Sequence, residues 1–352
     1  MNFNEQGFNM PVSEKFKPKD QTSLGEGDPL LKVREEQMKE IRDVLEQNDC
    51  IVLGTVARTG TTSILRNLNN VYGDKPNVKL VSLDTNDTRF NRDIEDLLDE
   101  QEDDENQRQI ILTIDEANRI WLDKENNIKE IRGEYDDEYK DGPNLFELKK
   151  LINEAKNHNI KIVFQSHDTY GKEGDGGMIG MEKWLKKNFF RGQEIKMKKM
   201  QLETIDEKDM KKVFDIIASN MDMPKTLIDA KQEILDLCTT PQQLCLIINE
   251  YIYATSKNKN HQEALEEALH GNRAWIMDES LNDIIRTTAK ERMGKLLKKV
   301  ADAEGGVLDI NQLSEDEKRI FERYKKFHLF RINGDNISVN GQLLREFVQK
   351  KY

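Results

Sequence analysis

No stretch of this chain is apolar for long enough to cross a bilayer as a helix, so the sequence does not read as a membrane protein. Cysteine is scarce. Cys50, Cys238 and Cys245 stand far from any zinc-finger or disulfide-framework spacing and read as reduced packing residues. The five histidines, His158, His167, His261, His270 and His328, form no paired ligand motif on a helix. The expectation is therefore no metal beyond one carried by a nucleotide. Met1 to Gln6 offers neither a basic segment nor an apolar one, so no export signal is visible and the expected location is cytoplasmic. What the chain has in quantity is charge: 34% of its 352 residues are charged against 36% hydrophobic, which describes a soluble, helix-rich polypeptide. That length exceeds what one hydrophobic core organises, and two or three domains are expected.

One more absence matters to function. The stretch Val52 to Leu65 has the outline of a phosphate-binding loop between strand and helix, but its lysine is missing. In the pattern G-x-x-x-x-G-K-[ST], glycines allow the turn and backbone N–H groups wrap phosphate. Lysine neutralises the β and γ oxygens, and Ser/Thr holds Mg²⁺. Here Gly60 is the last glycine, Thr61 stands in the lysine position, and Thr62 supplies the hydroxyl, with Ser63 following. The first glycine is due at Thr55, whereas Gly54 comes one residue early. Taken alone, the segment also suits a strand, turn and helix with no ligand.

A second signature favours the liganded reading. Gln109 to Ile114 is an apolar run that ends in Asp115-Glu116-Ala117. Such a run suits a strand buried on both faces of a parallel sheet, and ligands of open α/β sheets sit at the carboxyl edge. Asp115 is then placed to hold Mg²⁺ opposite Thr62, and Glu116 to orient and deprotonate an attacking water. The plain alternative is that the two carboxylates only open the next helix.

Further strands are expected at Lys79–Asp84 and Lys161–Ser166, with helices from Leu30, over Arg89–Leu98 and over Leu145–His158. The alternation predicts an α/β fold, a P-loop NTPase parallel sheet flanked by helices. Residues 1–29 are read as an extended arm and 30–200 as the ATPase core. Residues 201–258 are read as a helical lid, 259–280 as a linker and 281–352 as a winged-helix domain. The acidic run 99–105 and the glycine-rich segment 171–177 read as surface loops, and 119–144 is too long for a simple connection. Beyond Lys196 the character shifts to helices, read as a small helical domain that ends at a polar link, Ser256 to His261.

The winged-helix expectation comes from a helix over Leu281–Ala303 stopped by Gly305-Gly306, then a helix begun by the capping box Ser314 and Glu317. Two short strands follow, joined through Asn333-Gly334-Asp335. Arg319, Arg323, Lys325 and Lys326 on the second helix, and Arg331 on the hairpin, are the candidate contacts to double-stranded DNA. Residues 281–352 carry about four positive charges while the rest is about sixteen negative, the asymmetry expected of a nucleic-acid-binding end. A winged domain packed against protein remains the alternative.

Together these segments resemble an AAA+-related P-loop ATPase of the archaeal-type STAND clade, relatives of replication-initiator ATPases. The resemblance spans nearly the whole chain. It rests on an R-x-x-E-like helix start at Arg34-Glu35-Glu36-Gln37, a loop Arg58-Thr59-Gly60-Thr61-Thr62-Ser63 similar to R-T-G-K-T-S, and Asp115-Glu116-Ala117. It implies ATP or ADP with Mg²⁺ as cofactors, a polar sensor at Gln165-Ser166, and a lid proline at Pro241. It also implies Arg191 as an arginine completing the site, in its own subunit or in a neighbour's within a homo-oligomer. The missing lysine implies that hydrolysis suffers more than binding, with Arg58 a candidate for part of the lost charge. Three functions follow for testing: a DNA-associated ATP switch, a non-hydrolysing DNA-binding regulator, and a protein-interaction or signalling module.

Overall fold

The computed structural model describes residues 29–56, 59–72, 78–84, 93, 96, 109–115, 117, 160–167, 177–188, 195–221, 223–271, 281–285, 288 and 291–352. Of the sequence expectations, the arm 1–28, the helix at 145–158, the acidic run and the 119–144 stretch lie outside these residues, and of the helix at 89–98 residues 93 and 96 alone fall within them, both helical. So do Arg58, Glu116 and Arg191. The chain divides into two compact units, with the change of unit at Thr204.

In the first unit a 3-10 turn at Pro29–Arg34 runs into helix α1, Glu35–Gln47. Met38, Ile41 and Leu45 recur at helical spacing and form its buried stripe. Five strands follow: β1 (Cys50–Thr55), β2 (Val78–Asp84), β3 (Gln109–Asp115), β4 (Ile160–His167) and β5 (Met197–Gln201). All pair in parallel, in the order β2-β3-β4-β1-β5. Every residue of β1 is buried, the mark of a strand covered on both faces. On one face Ile51, Leu53, Ile111 and Val163 meet α1 and the Ile64, Leu65 and Leu68 side chains that follow the loop. Helix α3, Gly177–Asn188, packs against β1 and β4. The first unit is thus an α/β arrangement, a five-stranded parallel sheet flanked by helices.

One local expectation changes. The helical character read beyond Lys196 does not begin there, because Met197–Gln201 forms the edge strand β5, hydrogen-bonded to β1. Of its residues Met200 alone is buried, so Met-Lys-Lys-Met-Gln carries no apolar run to announce a strand. Gly54, one residue early for the loop's first glycine, belongs to the strand before it. It lies inside β1, opposite Ser166 of β4 and Gln201 of β5, where a side chain is absent but the ladder continues.

The second unit contains helices α4 (Glu207–Met221), α5 (Lys225–Asp229), α6 (Lys231–Leu237), α7 (Pro241–Ser256) and α8 (His261–His270). In place of the single helix expected over Leu281–Ala303, residues 281–285 are helical and α9 spans Glu291–Asp302. Then come β6 (Val307–Asp309), α10 (Glu315–Tyr324), β7 (Phe330–Asn333), β8 (Asn336–Val339) and α11 (Gln342–Lys351). The three strands form an antiparallel sheet in the order β6-β8-β7. Ser314 and Glu317 exchange the two bonds of a capping box at α10, and Gly334 turns the hairpin with φ of 61°. All three cysteines are free and buried, and burial, with Asp49 beside it, pushes the Cys50 thiol far up, so it stays protonated.

The helical part and the C-terminal part of this second unit are tied at Gly341, which adopts φ of 83° before α11. A Cβ there would collide with the Thr239 hydroxyl and lie 2.9 Å from the Cys238 carbonyl carbon. Thr239 in turn donates to the Asn340 carbonyl at 2.7 Å. Gly341→Ala is therefore expected to lower unfolding free energy by about 2 kcal/mol or more, from strain at positive φ plus overpacking. Gly305→Ala, at a φ of 66° with nothing within 4 Å, carries only the backbone cost of about 1 kcal/mol. Denaturant unfolding of the two variants checks the difference, and equal losses would remove the packing role of Gly341.

Candidate functional site

Because β1, β3 and β4 are parallel, their carboxyl ends, Thr55, Asp115 and His167, lie on one edge of the sheet. β4 sits between β1 and β3. A chain leaving β1 must therefore travel about 10 Å along the edge, two strand spacings, to meet the end of β3. The connection after Thr55 does this. It turns at Gly60, whose φ of 83° is the left-handed region that a side chain disfavours, and enters helix α2, Thr61–Arg66, which lies against β2 and β3.

The crossing delivers Thr62 to Asp115. The Thr62 hydroxyl donates to Asp115 Oδ2 at 2.6 Å, joining positions 53 residues apart in sequence. Asp115 is 5% exposed, and a carboxylate that far from water needs such donors. Both groups present hard oxygen ligands. One carboxylate and one hydroxyl form the kind of incomplete set that suits Mg²⁺, which keeps waters and takes its remaining ligands from phosphate. Among the described residues no cluster of three or more His, Cys, Asp or Glu offers a separate protein cage for a metal.

The remaining loop residues are ordered by their own side chains. Thr59 donates from Oγ1 to the Val56 carbonyl at 2.7 Å, and its hydroxyl lies 3.3 Å from that of Thr61. Thr61, in the lysine position, is buried, as are Thr59 and Ser63. A short uncharged side chain thus occupies the space from which a lysine would reach outward. Behind the loop, Arg34 is also buried; its guanidinium donates to the Thr59 carbonyl and, at 2.6 Å, to Gln37 Oε1.

Beside the loop, Gln165 of β4 donates through its amide to the Thr55 hydroxyl at 2.6 Å, and its carbonyl accepts the Ala117 N–H at 2.9 Å. Gln165 thereby links the ends of β1 and β3. Its neighbour Ser166, the expected catalytic sensor, is buried within β4 and donates to the adjacent His167 carbonyl at 3.2 Å. Thr55, Gln165 and His167 all lie at this edge. In the sequence their only signal is polarity at the ends of apolar runs.

The other candidates lie in the second unit. Pro241 is the first residue of α7, where Thr240 and Gln243 form a capping box. Arg319, Arg323, Lys325 and Lys326 are exposed on α10 and the turn after it. Charge is mixed there: α10 holds the carboxylates Glu315, Asp316, Glu317 and Glu322, and Lys325 pairs with Glu322 at 2.6 Å. Arg331 pairs with Asp236 at 2.9 Å and donates to Asn340 Oδ1 at 3.0 Å.

No family model matches the chain, and no curated protein matches it. Solved structures similar to it include a Walker-type ATPase of Pyrococcus abyssi, at 16% identity and a TM-score of 0.46, covering 90% of this chain and 95% of the other. Cdc6p from Pyrobaculum aerophilum aligns at 15% identity and a TM-score of 0.43, covering 90% and 93%. Domain III of the Thermotoga maritima replication initiation protein DnaA aligns at 14% identity and a TM-score of 0.39, covering 73% and 96%. At this level of likeness the fold assignment rests on the chain's own strand order, loop and sheet edge.

Proposed function

We propose that the chain is an ATP-binding P-loop protein of the AAA+/STAND kind, a nucleotide-dependent switch whose hydrolysis is weakened by the missing loop lysine. The observation that carries this reading is the 2.6 Å contact between Thr62 and Asp115. It pairs the two oxygen ligands that a nucleotide-bound Mg²⁺ requires from the protein, next to a glycine turn at the carboxyl edge of a parallel sheet. When bound, the ion would neutralise phosphate charge, and Thr62 and Asp115 are the residues that would hold it. Thr59 to Ser63 would line the phosphates, and Pro241 would contribute the lid turn. Glu116 follows Asp115 in sequence and is assigned to orient water and take its proton as the terminal phosphoryl group is cleaved from ADP. Ser166 and Arg191 are assigned as sensor and as the arginine that completes the site, the latter in the same subunit or in a neighbour's within a homo-oligomer.

For the C-terminal part of the second unit we infer double-stranded DNA as partner. The support is a helix, strand, helix and hairpin order like that of a winged helix, with Arg319, Arg323, Lys325 and Lys326 exposed on one segment. A specific observation favours a second reading, contact with protein: α10 carries four carboxylates to three cations, and Arg331 is engaged by Asp236.

Asp115→Asn is expected to weaken ATP binding in the presence of Mg²⁺ by about tenfold or more, with little change in EDTA. Calorimetric titration reads both, and absence of any wild-type heat at high micromolar ATP contradicts the function. Glu116→Gln is expected to abolish whatever phosphate release the wild type shows; unchanged turnover would assign the base elsewhere. Reversing the charges of Arg319, Arg323 and Lys326 together is expected to weaken duplex binding and reduce its salt slope by about three phosphate contacts. An unaltered slope assigns this surface to protein contacts.

A further inference from the structure

We infer that Arg34 is the resident cation of the loop, supplying from behind it the positive charge that Thr61 does not supply from within. The inference rests on the nucleotide-binding reading above and adds to it a residue that holds the loop and sets its affinity for polyphosphate. Three observations carry it. The first is position: although 25 residues separate Arg34 from Thr59, its guanidinium lies against the loop backbone, and a Cβ on Gly60 would stand 3.5 Å from Arg34 Nη2. The second is burial. Arg34 is 4% exposed, so its charge is little screened by water and acts on neighbouring groups more strongly than a surface lysine would.

The third is orientation. Arg34 donates to the Thr59 carbonyl, which belongs to the peptide plane joining Thr59 to Gly60. In a planar trans peptide the N–H points opposite to the C=O, so gripping this carbonyl turns the Gly60 N–H away from Arg34. Gly60 is held at φ of 83° directly before helix α2, so its N–H is set on the side of the loop opposite the guanidinium. Gln37 fixes the guanidinium in turn. It accepts from Arg34 Nη1 at 2.6 Å and anchors itself by donating to the Glu203 carbonyl at 2.7 Å. Arg34 is thus a positioning residue with a charge. It is placed behind the loop backbone and not among the groups assigned to the reacting atoms.

The two roles of charge and support separate in a compensation experiment on the full chain, read by calorimetric titration with ATP, ADP and AMP in Mg²⁺ and by thermal unfolding. Arg34→Gln is expected to weaken ATP binding by about tenfold and AMP binding by much less, because the lost charge acts on the outer phosphates. Adding Thr61→Lys to Arg34→Gln is expected to recover most of the ATP affinity, since it returns a cation to the loop. Arg34→Lys keeps the charge but gives up one arm of the guanidinium fork, and is expected to bind ATP several-fold more tightly than Arg34→Gln. If Arg34→Gln unfolds, Arg34→Lys decides: a folded Arg34→Lys protein that has lost ATP binding overturns the inference. It is also overturned if a folded Arg34→Gln protein binds ATP like wild type, if all three nucleotides weaken equally, or if Thr61→Lys restores nothing. A wild-type protein that binds none of the three nucleotides overturns the function itself, whereas wild-type binding with an indifferent Arg34 overturns only this inference.

Discussion

The placing of β4 between β1 and β3 constrains everything at the sheet edge. A loop leaving β1 has to cross the end of β4 before it meets Asp115, and it does so with one left-handed glycine, Gly60, and a helix of six residues. The Thr62–Asp115 hydrogen bond closes that crossing. Beneath it, Ile64 and Leu65 press the helix onto the same core as Met38, Ile41 and Leu45 of α1, so the loop is held from below by packing and at its far end by a buried carboxylate. Gln165 adds a second link along the edge, from Thr55 to the chain just beyond β3. Apolar packing sets the position of the sheet edge, and a few buried polar contacts fix what faces it.

The missing lysine acquires its meaning from that geometry. Thr61 is buried and its hydroxyl lies beside Thr59, so the loop is closed neatly around short polar side chains. The charged group against its backbone, the buried guanidinium of Arg34, lies behind it. A cation behind the loop and one reaching around it are not equivalent for chemistry. Ground-state attraction for a polyphosphate survives a longer distance better than does stabilisation of the charge that develops on the leaving oxygens. Under the proposed function, the expected behaviour is nucleotide binding with slow turnover.

The strands β1, β3 and β4 were legible because both of their faces are buried and their apolar runs are continuous. β5 was not, since an edge strand with one buried methionine is written in lysines. The pairing of Thr62 with Asp115 was readable as two halves of a known spacing. Arg34 was visible only as part of a helix-start pattern, because its contact with Thr59 depends on where the 3-10 turn before α1 comes to rest. Gly54, one residue early for the loop's first glycine, belongs to the strand that precedes the loop. At the C-terminal end, the basic residues could be listed from the sequence, but Asp236 as partner of Arg331 comes from a helix 95 residues away. Exposed charge is easily counted in sequence, and its neutralisation is not.

The most direct test of this account is a crystal structure of the chain with ATP and Mn²⁺ in place of Mg²⁺, read by the anomalous signal of the metal. The account predicts one Mn²⁺ peak within about 2.2 Å of the Thr62 hydroxyl, on the Asp115 side, with phosphate density over Gly60 to Ser63. Nucleotide density elsewhere on the sheet edge, or a metal bound away from Thr62 and Asp115, would contradict it.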